Sequence, residues 1–188
     1  MRIFKRTKKQ FYVRMIPMTE TTDVFISGKK NRIAGVQSVL EAFDLSKVSG
    51  LAVAIKANFN SADSFPASTS IETLDTICSS IIGQSPARVT LVERSGMGNT
   101  REVLEATGVI ACSRIRGFAV TVLDGLYRSG WQEIQEAGLH WRQGFFIAKD
   151  IARATYVVQT CCLKTHRYGG DFTLSLKNRV GTIARRVP

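Results

Sequence analysis

The apolar positions of this chain change period several times, and each change marks an element. "DVFISG" (23–28) reads as a short strand, and in "NRIAGVQSVLEAFDL" (31–45) Ile33, Val36, Val39, Leu40 and Phe43 recur at helical spacing. "GLAVAIKANFN" (50–60) is an almost unbroken apolar run bounded by polar residues, which suits a strand covered on both faces, as in a parallel sheet. "TSIETLDTICSSII" follows with Thr69 and Glu72 at capping-box spacing and a stripe of Ile71, Leu74, Cys78, Ile81 and Ile82. "ARVTLVE" (87–93) is a further strand and "SGMGN" (95–99) a glycine loop. In "TREVLEATG" (100–108) the helix is capped by Asn99 with Glu102 and stopped by Gly108. A short helical piece at 109–116 leads to the strand "FAVTVLD" (118–124). "GWQEIQEAG" and "FFIAKDIARA" give mixed signals before the apolar "TYVVQTCCL" (155–163) and a last helix, "FTLSLKNRVGTIA" (172–184). Strands alternating with helices require crossover connections. The expected fold is therefore α/β, three-layer, with a mostly parallel sheet and helices on both faces.

Composition adds a sign of charge. The 188 residues are 44% hydrophobic and 22% charged, an ordinary globular balance, but the formal net charge is +11. Part of the excess sits in residues 1–14, where Arg2, Lys5, Arg6, Lys8, Lys9 and Arg14 meet no acid. The expected organisation is a basic N-terminal arm over 1–22 and a single α/β domain over 23–188. Such a balance favours anionic partners: a small anion or anionic cofactor, or nucleic acid bound through the basic termini. Against nucleic acid, only Phe4, Phe11 and Tyr12 interleave with basic residues as stacking platforms would. Polar residues interrupt the stretch after the basic N-terminus, so no signal-peptide apolar core is present, and no run of about 20 apolar residues occurs. A cytoplasmic protein without membrane association is expected. Cys78, Cys112, Cys161 and Cys162 show no CxxC spacing, and the adjacent pair would face opposite sides of a strand, so no metal site is expected.

Candidate chemistry concentrates in the loops that follow the expected parallel strands, where open sheets bind ligands. After the first comes "KANFNSAD" with Lys56, Asn58 and Asn60; after "ARVTLVE" comes "RSGMGNT" with Gly96, Gly98 and Thr100. After the last strand comes "KTHRYGGD" with Lys164, Thr165 and His166. Lys56 and Lys164 can place positive charge against phosphate or carboxylate, Asn58 and Asn60 can orient it, and the glycines let backbone N–H groups approach it. Each has a plainer use as well. Gly96 and Gly98 can simply form the turn that Asn99 caps, Asn58 and Asn60 can close Asx-turns, and His166 can bond a backbone carbonyl. Lys177 can lie on a solvated helix face. If "GGD" bends the chain back, a helix starting near Phe172 would aim its N-terminus at an anion held by Lys164.

In order along the chain, "IKANFN", "STSIET", "SGMGNT", "LEATGVI" and "CCLKTHRYGGDFTLSLKN" resemble the motifs of the family catalogued as domain of unknown function 362. The resemblance runs from about Arg32 to Gly181, and its last block is the most specific. Two departures stand out: Ala57 replaces a usual proline, and Cys161 with Cys162 replaces a Pro-Lys pair. The chain reads as a shortened member. Family members occur alone or joined to ferredoxin-type iron-sulfur modules, which implies a link to redox or iron-sulfur metabolism and a ferredoxin-like partner. A distant likeness to lactate-racemase-type α/β domains is one of fold alone. Position by position, the resemblance carries over Lys56, Asn58, Lys164, Thr165, His166, Lys177 and Asn178 as site residues. The expected function is binding of an anionic ligand or cofactor, of unnamed identity, at the sheet edge. His166 would serve as acid or base and Lys164 as electrostatic stabiliser. The competing expectations are a non-catalytic nucleic-acid-binding protein and a truncated, inactive partner subunit.

Overall fold

The structure, a computed structural model, describes residues 3–5, 23–135, 141, 143–165 and 174–184. Its centre is a five-stranded sheet built from β1 (Ile3–Lys5), β2 (Ala52–Lys56), β3 (Arg88–Glu93), β4 (Ala119–Val122) and a strand near the C-terminus. A separate antiparallel ribbon pairs β5 (Trp131–Ile134) with β6 (Phe145–Ala148), and the C-terminal strand is β7 (Tyr156–Gln159). The strand order of the main sheet is β1-β7-β2-β3-β4, with β7, β2, β3 and β4 mutually parallel and β1 antiparallel to β7.

The unalternating apolar runs are explained by layers on both sides. Val53, Ile55, Val89, Leu91, Tyr156 and Val158 belong to one core. That core is shared with the helices α1 (Arg32–Leu40), α2 (Ile71–Ile82), α3 (Thr100–Ala106) and α4 (Val109–Arg116). Ala54, Val92 and Val157, their neighbours along the same strands, enter a second core with α5 (Lys149–Arg153) and the β5–β6 ribbon. Side chains alternate across a strand, so two cores on alternating positions mean two covered faces. The three-layer α/β architecture is as the pattern predicts, except that a β-ribbon shares the second layer with the helix. That ribbon accounts for the mixed signals at 131–153.

Local chemistry decides several boundaries. The Asn31 side chain accepts from the Ala34 amide and the Asn99 side chain from those of Arg101 and Glu102, so α1 and α3 begin where the caps place them. Gly108, at φ +81°, makes the left-handed turn that separates α3 from α4. Arg116 clamps α4 to α2 through a two-pronged pair with Asp75 at 2.6 and 2.8 Å.

Other expectations are corrected. Residues 23–28 form no strand: Val24 and Ile26 are 78% and 88% exposed, and only Phe25 packs, edge-on against Phe43. The outer strand comes from the basic N-terminal segment instead, where Ile3–Lys5 pair with Tyr156–Val158 and cover what would be an open β7 edge. The capping box at α2 does not form, because Ser70 is the N-cap and the Thr69 hydroxyl is used by the Asn58 amide and by Thr160. β7 ends at Gln159, so Thr160–Leu163 run as irregular chain. The last helix, α6 (Ser175–Val180), is shorter than the expected span of 172–184, since Ile183 leaves it to bridge Ile147 of β6.

These packing assignments predict a contrast. Leu91→Ala, at a fully buried position of β3, should cost about 2–5 kcal/mol of unfolding free energy. Ile26→Ser should stay within about 0.5 kcal/mol. Urea denaturation of both variants measures the difference, and a large cost at Ile26 would mean that the 23–28 segment is packed after all.

Candidate functional site

The connections from β2 to β3 to β4 step across the sheet in one direction, and the chain then returns to set β7 on the other side of β2. The loops leaving the carboxyl ends of β2 and β7 therefore part company, and such switch points are where open α/β sheets form crevices. A cavity of about 480 Å³ opens there.

Its floor is an ion pair. Lys56, the last residue of β2, and Glu93, the last of β3, are 2% and 0% exposed, and the ammonium lies 2.7 Å from each carboxylate oxygen. The Lys56 ammonium also reaches the Ala57 carbonyl at 2.6 Å and Asn178 Oδ1 at 3.3 Å. An ammonium has three N–H donors, so these acceptors occupy it fully. Glu93 Oε2 accepts in addition from the Arg94 amide at 3.0 Å. Complete burial pushes the Glu93 carboxyl above the ordinary carboxylate range, while the Lys56 ammonium pulls against that shift. Asn178 of α6 closes the arrangement by donating from Nδ2 to the carbonyls of Lys56 and Thr160, at 3.4 and 3.1 Å. Gly181 then allows α6 to lie close, since a Cβ there would stand 3.2 Å from Lys56 Cε.

One wall is the loop between β2 and α2. Asn58 holds it by donating from Nδ2 to the Ala67 carbonyl at 3.3 Å, while its own amide donates to Thr69 Oγ1 at 3.0 Å. The same Ala67 carbonyl accepts from the Lys164 ammonium, and Cys162 Sγ donates to the Ser68 carbonyl at 3.3 Å. Facing elements supply Arg94, whose guanidinium donates to the Ile183 carbonyl at 2.9 Å, and one side of α6. Leu174, Lys177, Asn178 and Gly181 fall at i, i+3, i+4 and i+7 and all line the cavity.

The structure thus brings Lys56, Asn58, Asn60, Lys164, Thr165, Lys177 and Asn178 around one space. Gly96 and Gly98 stand in the adjoining β3–α3 loop and Thr100 opens α3, all outside its lining. The Gly96 amide donates to Asn60 Oδ1 at 3.1 Å and to the Asn60 carbonyl at 3.2 Å, and a side chain at Gly96 would collide with that amide group. Gly98 takes φ +83°, as the turn reading requires. Thr100 is buried, accepting from the Ser95 amide at 2.7 Å and donating to Asp124. His166 and the "GGD" bend lie outside the described residues, and the helix expected to begin near Phe172 starts at Ser175. Among the described residues no group of three or more His, Cys, Asp or Glu could hold a metal ion, and no helix is long and apolar enough to cross a membrane.

Glu93 and Arg94 went unnoticed in the sequence, along with the apolar contributors Pro66, Ala67 and Leu174. For Glu93 a signal existed: "AVAIK" and "TLVE" are apolar runs that end on opposite charges, and as parallel neighbours, with Ile55 opposite Leu91, they bring those ends to within one residue of each other.

The family model described as Domain of unknown function (DUF362) matches residues 53–187. The chain belongs to this family. No curated protein and no solved structure matches it. The DUF362 match begins at the second residue of β2 and runs past α6, so it takes in β3, β4, β7, the rest of β2 and every residue of the cavity.

Two predictions follow from the geometry. Lys56→Met leaves a buried carboxylate without its partner and should destabilise the fold by about 3–5 kcal/mol, whereas Lys56→Met with Glu93→Leu should recover much of that loss. A double-mutant cycle in urea tests this, and additive losses would deny the coupling. The thiols should also differ in reactivity. Burial pushes the Cys78 and Cys162 thiols up and, aided by Asp75, raises Cys112 to about 11, whereas Cys161 is half-buried at the cavity. Iodoacetamide near pH 8 should modify Cys161 first, as read by peptide mass spectrometry.

Proposed function

We propose that this DUF362 protein binds a small anionic ligand or cofactor in the cavity at the β2/β7 switch point. The observation that supports this reading is the charge of the lining. Lys164 and Lys177 reach the cavity, and its only carboxylate among the described residues, Glu93, is cancelled by Lys56. Lys164 is half-buried and Lys177 exposed, neither faces a carboxylate among the described residues, and an ammonium in a crevice attracts an anion more strongly than one on open surface. Asn58 and Asn60 line the same space and can orient the ligand. In this reading Lys164 stabilises the charge and His166, two residues on, is the acid or base of any reaction carried out on it. A redox role with a ferredoxin-like partner, as the family resemblance implies, is part of the same proposal.

Lys164→Ala should weaken binding of an anion that protects the wild type by about 1.5–3 kcal/mol, roughly 10- to 150-fold in Kd. The unliganded protein should lose little stability, since only one bond to the Ala67 carbonyl is removed. A thermal-shift panel of inorganic phosphate, pyrophosphate and small carboxylates on both proteins is the measurement. If no anion protects the wild type and Lys164→Ala itself unfolds the chain, Lys164 is a structural tie and the binding proposal fails.

A further inference from the structure

We infer that the ligand is an organic anion, with an apolar body as well as a charged head, and not a free inorganic anion. This rests on the anion-binding reading above and specifies its substrate class. Size is the first reason: about 480 Å³ lies within the range of about 300–1,000 Å³ typical of small-molecule pockets and far exceeds the roughly 30 Å³ share of a water molecule. A lone tetrahedral anion would leave most of that space to solvent, where its charge is screened.

The second reason is that charge and apolar surface are presented side by side on two separate elements. On the β2–α2 loop the Lys164 ammonium is tied to the carbonyl of Ala67, beside Pro66, and both residues line the cavity. On the α6 side Leu174 and Lys177 are three residues apart on one face, and both line it too. Each wall therefore offers an ammonium beside an apolar surface, an arrangement that matches a head and a body bound together. Leu174 is 40% exposed although it faces the cavity, so apolar surface remains there for a ligand to cover. Glycines and hydroxyls would suffice to cradle phosphate alone.

The third reason is the state of the floor. Lys56 has every donor engaged by Glu93, Ala57 and Asn178, so it does not grip a second anionic group at the bottom of the cavity. The charged head is held by Lys164 and Lys177, leaving the body to fill the remainder.

Calorimetric titration at constant ionic strength with phenyl phosphate, inorganic phosphate and benzyl alcohol tests the inference. Phenyl phosphate should bind about ten-fold more tightly than inorganic phosphate, the effect of burying part of one ring, and benzyl alcohol should bind weakest. Leu174→Ser should remove most of the preference for phenyl phosphate while leaving inorganic phosphate unchanged. Lys164→Ala should weaken both anions. Equal affinities for phenyl phosphate and inorganic phosphate would overturn the organic-anion inference and leave the anion site standing. Failure of both to bind would remove the anion site itself. Benzyl alcohol matching phenyl phosphate would overturn the inference in favour of a purely apolar cavity.

Discussion

The buried pair of Lys56 and Glu93 is the constraint around which the C-terminal edge of the sheet is arranged. Two opposite charges taken wholly out of water cost several kcal/mol each unless every donor and acceptor is met. Meeting them takes two chain neighbours, the Ala57 carbonyl and the Arg94 amide, and one group distant in the chain, the Asn178 side chain. Asn178 lies 122 residues from Lys56, so the pair binds α6 to the strands and fixes the inner wall of the cavity.

Around that floor, neighbouring walls are held by polar bonds as well as by packing, with Ala57 and Phe59 of the loop after β2 in the core. The Ala67 carbonyl receives both Asn58 and Lys164, the Thr69 and Thr160 hydroxyls meet at 3.1 Å, and Cys162 bonds the Ser68 carbonyl. All but the Asn58 bond join the loop after β2 to the chain after β7, the two segments that the strand order drives apart. The crevice is thus stabilised at its rim while its interior is left open, which is the geometry a ligand site needs. The glycine loop after β3 plays a supporting part, because Asn60 occupies the Gly96 amide and fixes that loop beside the cavity.

Much of the fold could be read from periodicity because both faces of β2, β3 and β7 are covered, and doubly covered strands leave an unmistakable apolar run. The cap at Asn99 was equally legible, since a helix start is a local hydrogen-bonding problem. Residues 23–28 misled for the opposite reason. "DVFI" has strand composition, but strand formation is settled by available partners, and the free edge of β7 was taken by Ile3–Lys5. Thr69 similarly had the spacing of a capping box and was claimed by a competing bond across the sheet edge.

By itself, the sequence determined the alternation of strands and helices, the positive charge, and the placement of Lys56, Asn58, Asn60, Lys164 and Thr165 near strand ends. These are properties of neighbours along the chain. Only the tertiary structure decided that β7 inserts beside β2 on the side away from β3, which creates the crevice and its location. It alone decided that Lys56 spends its donors on Glu93 while Lys164 and Lys177 face the cavity. Strand order and the pairing of buried charges depend on contacts between residues tens of positions apart. Local propensity carries no record of such contacts, because their free energy appears only once the layers have closed and water has been excluded.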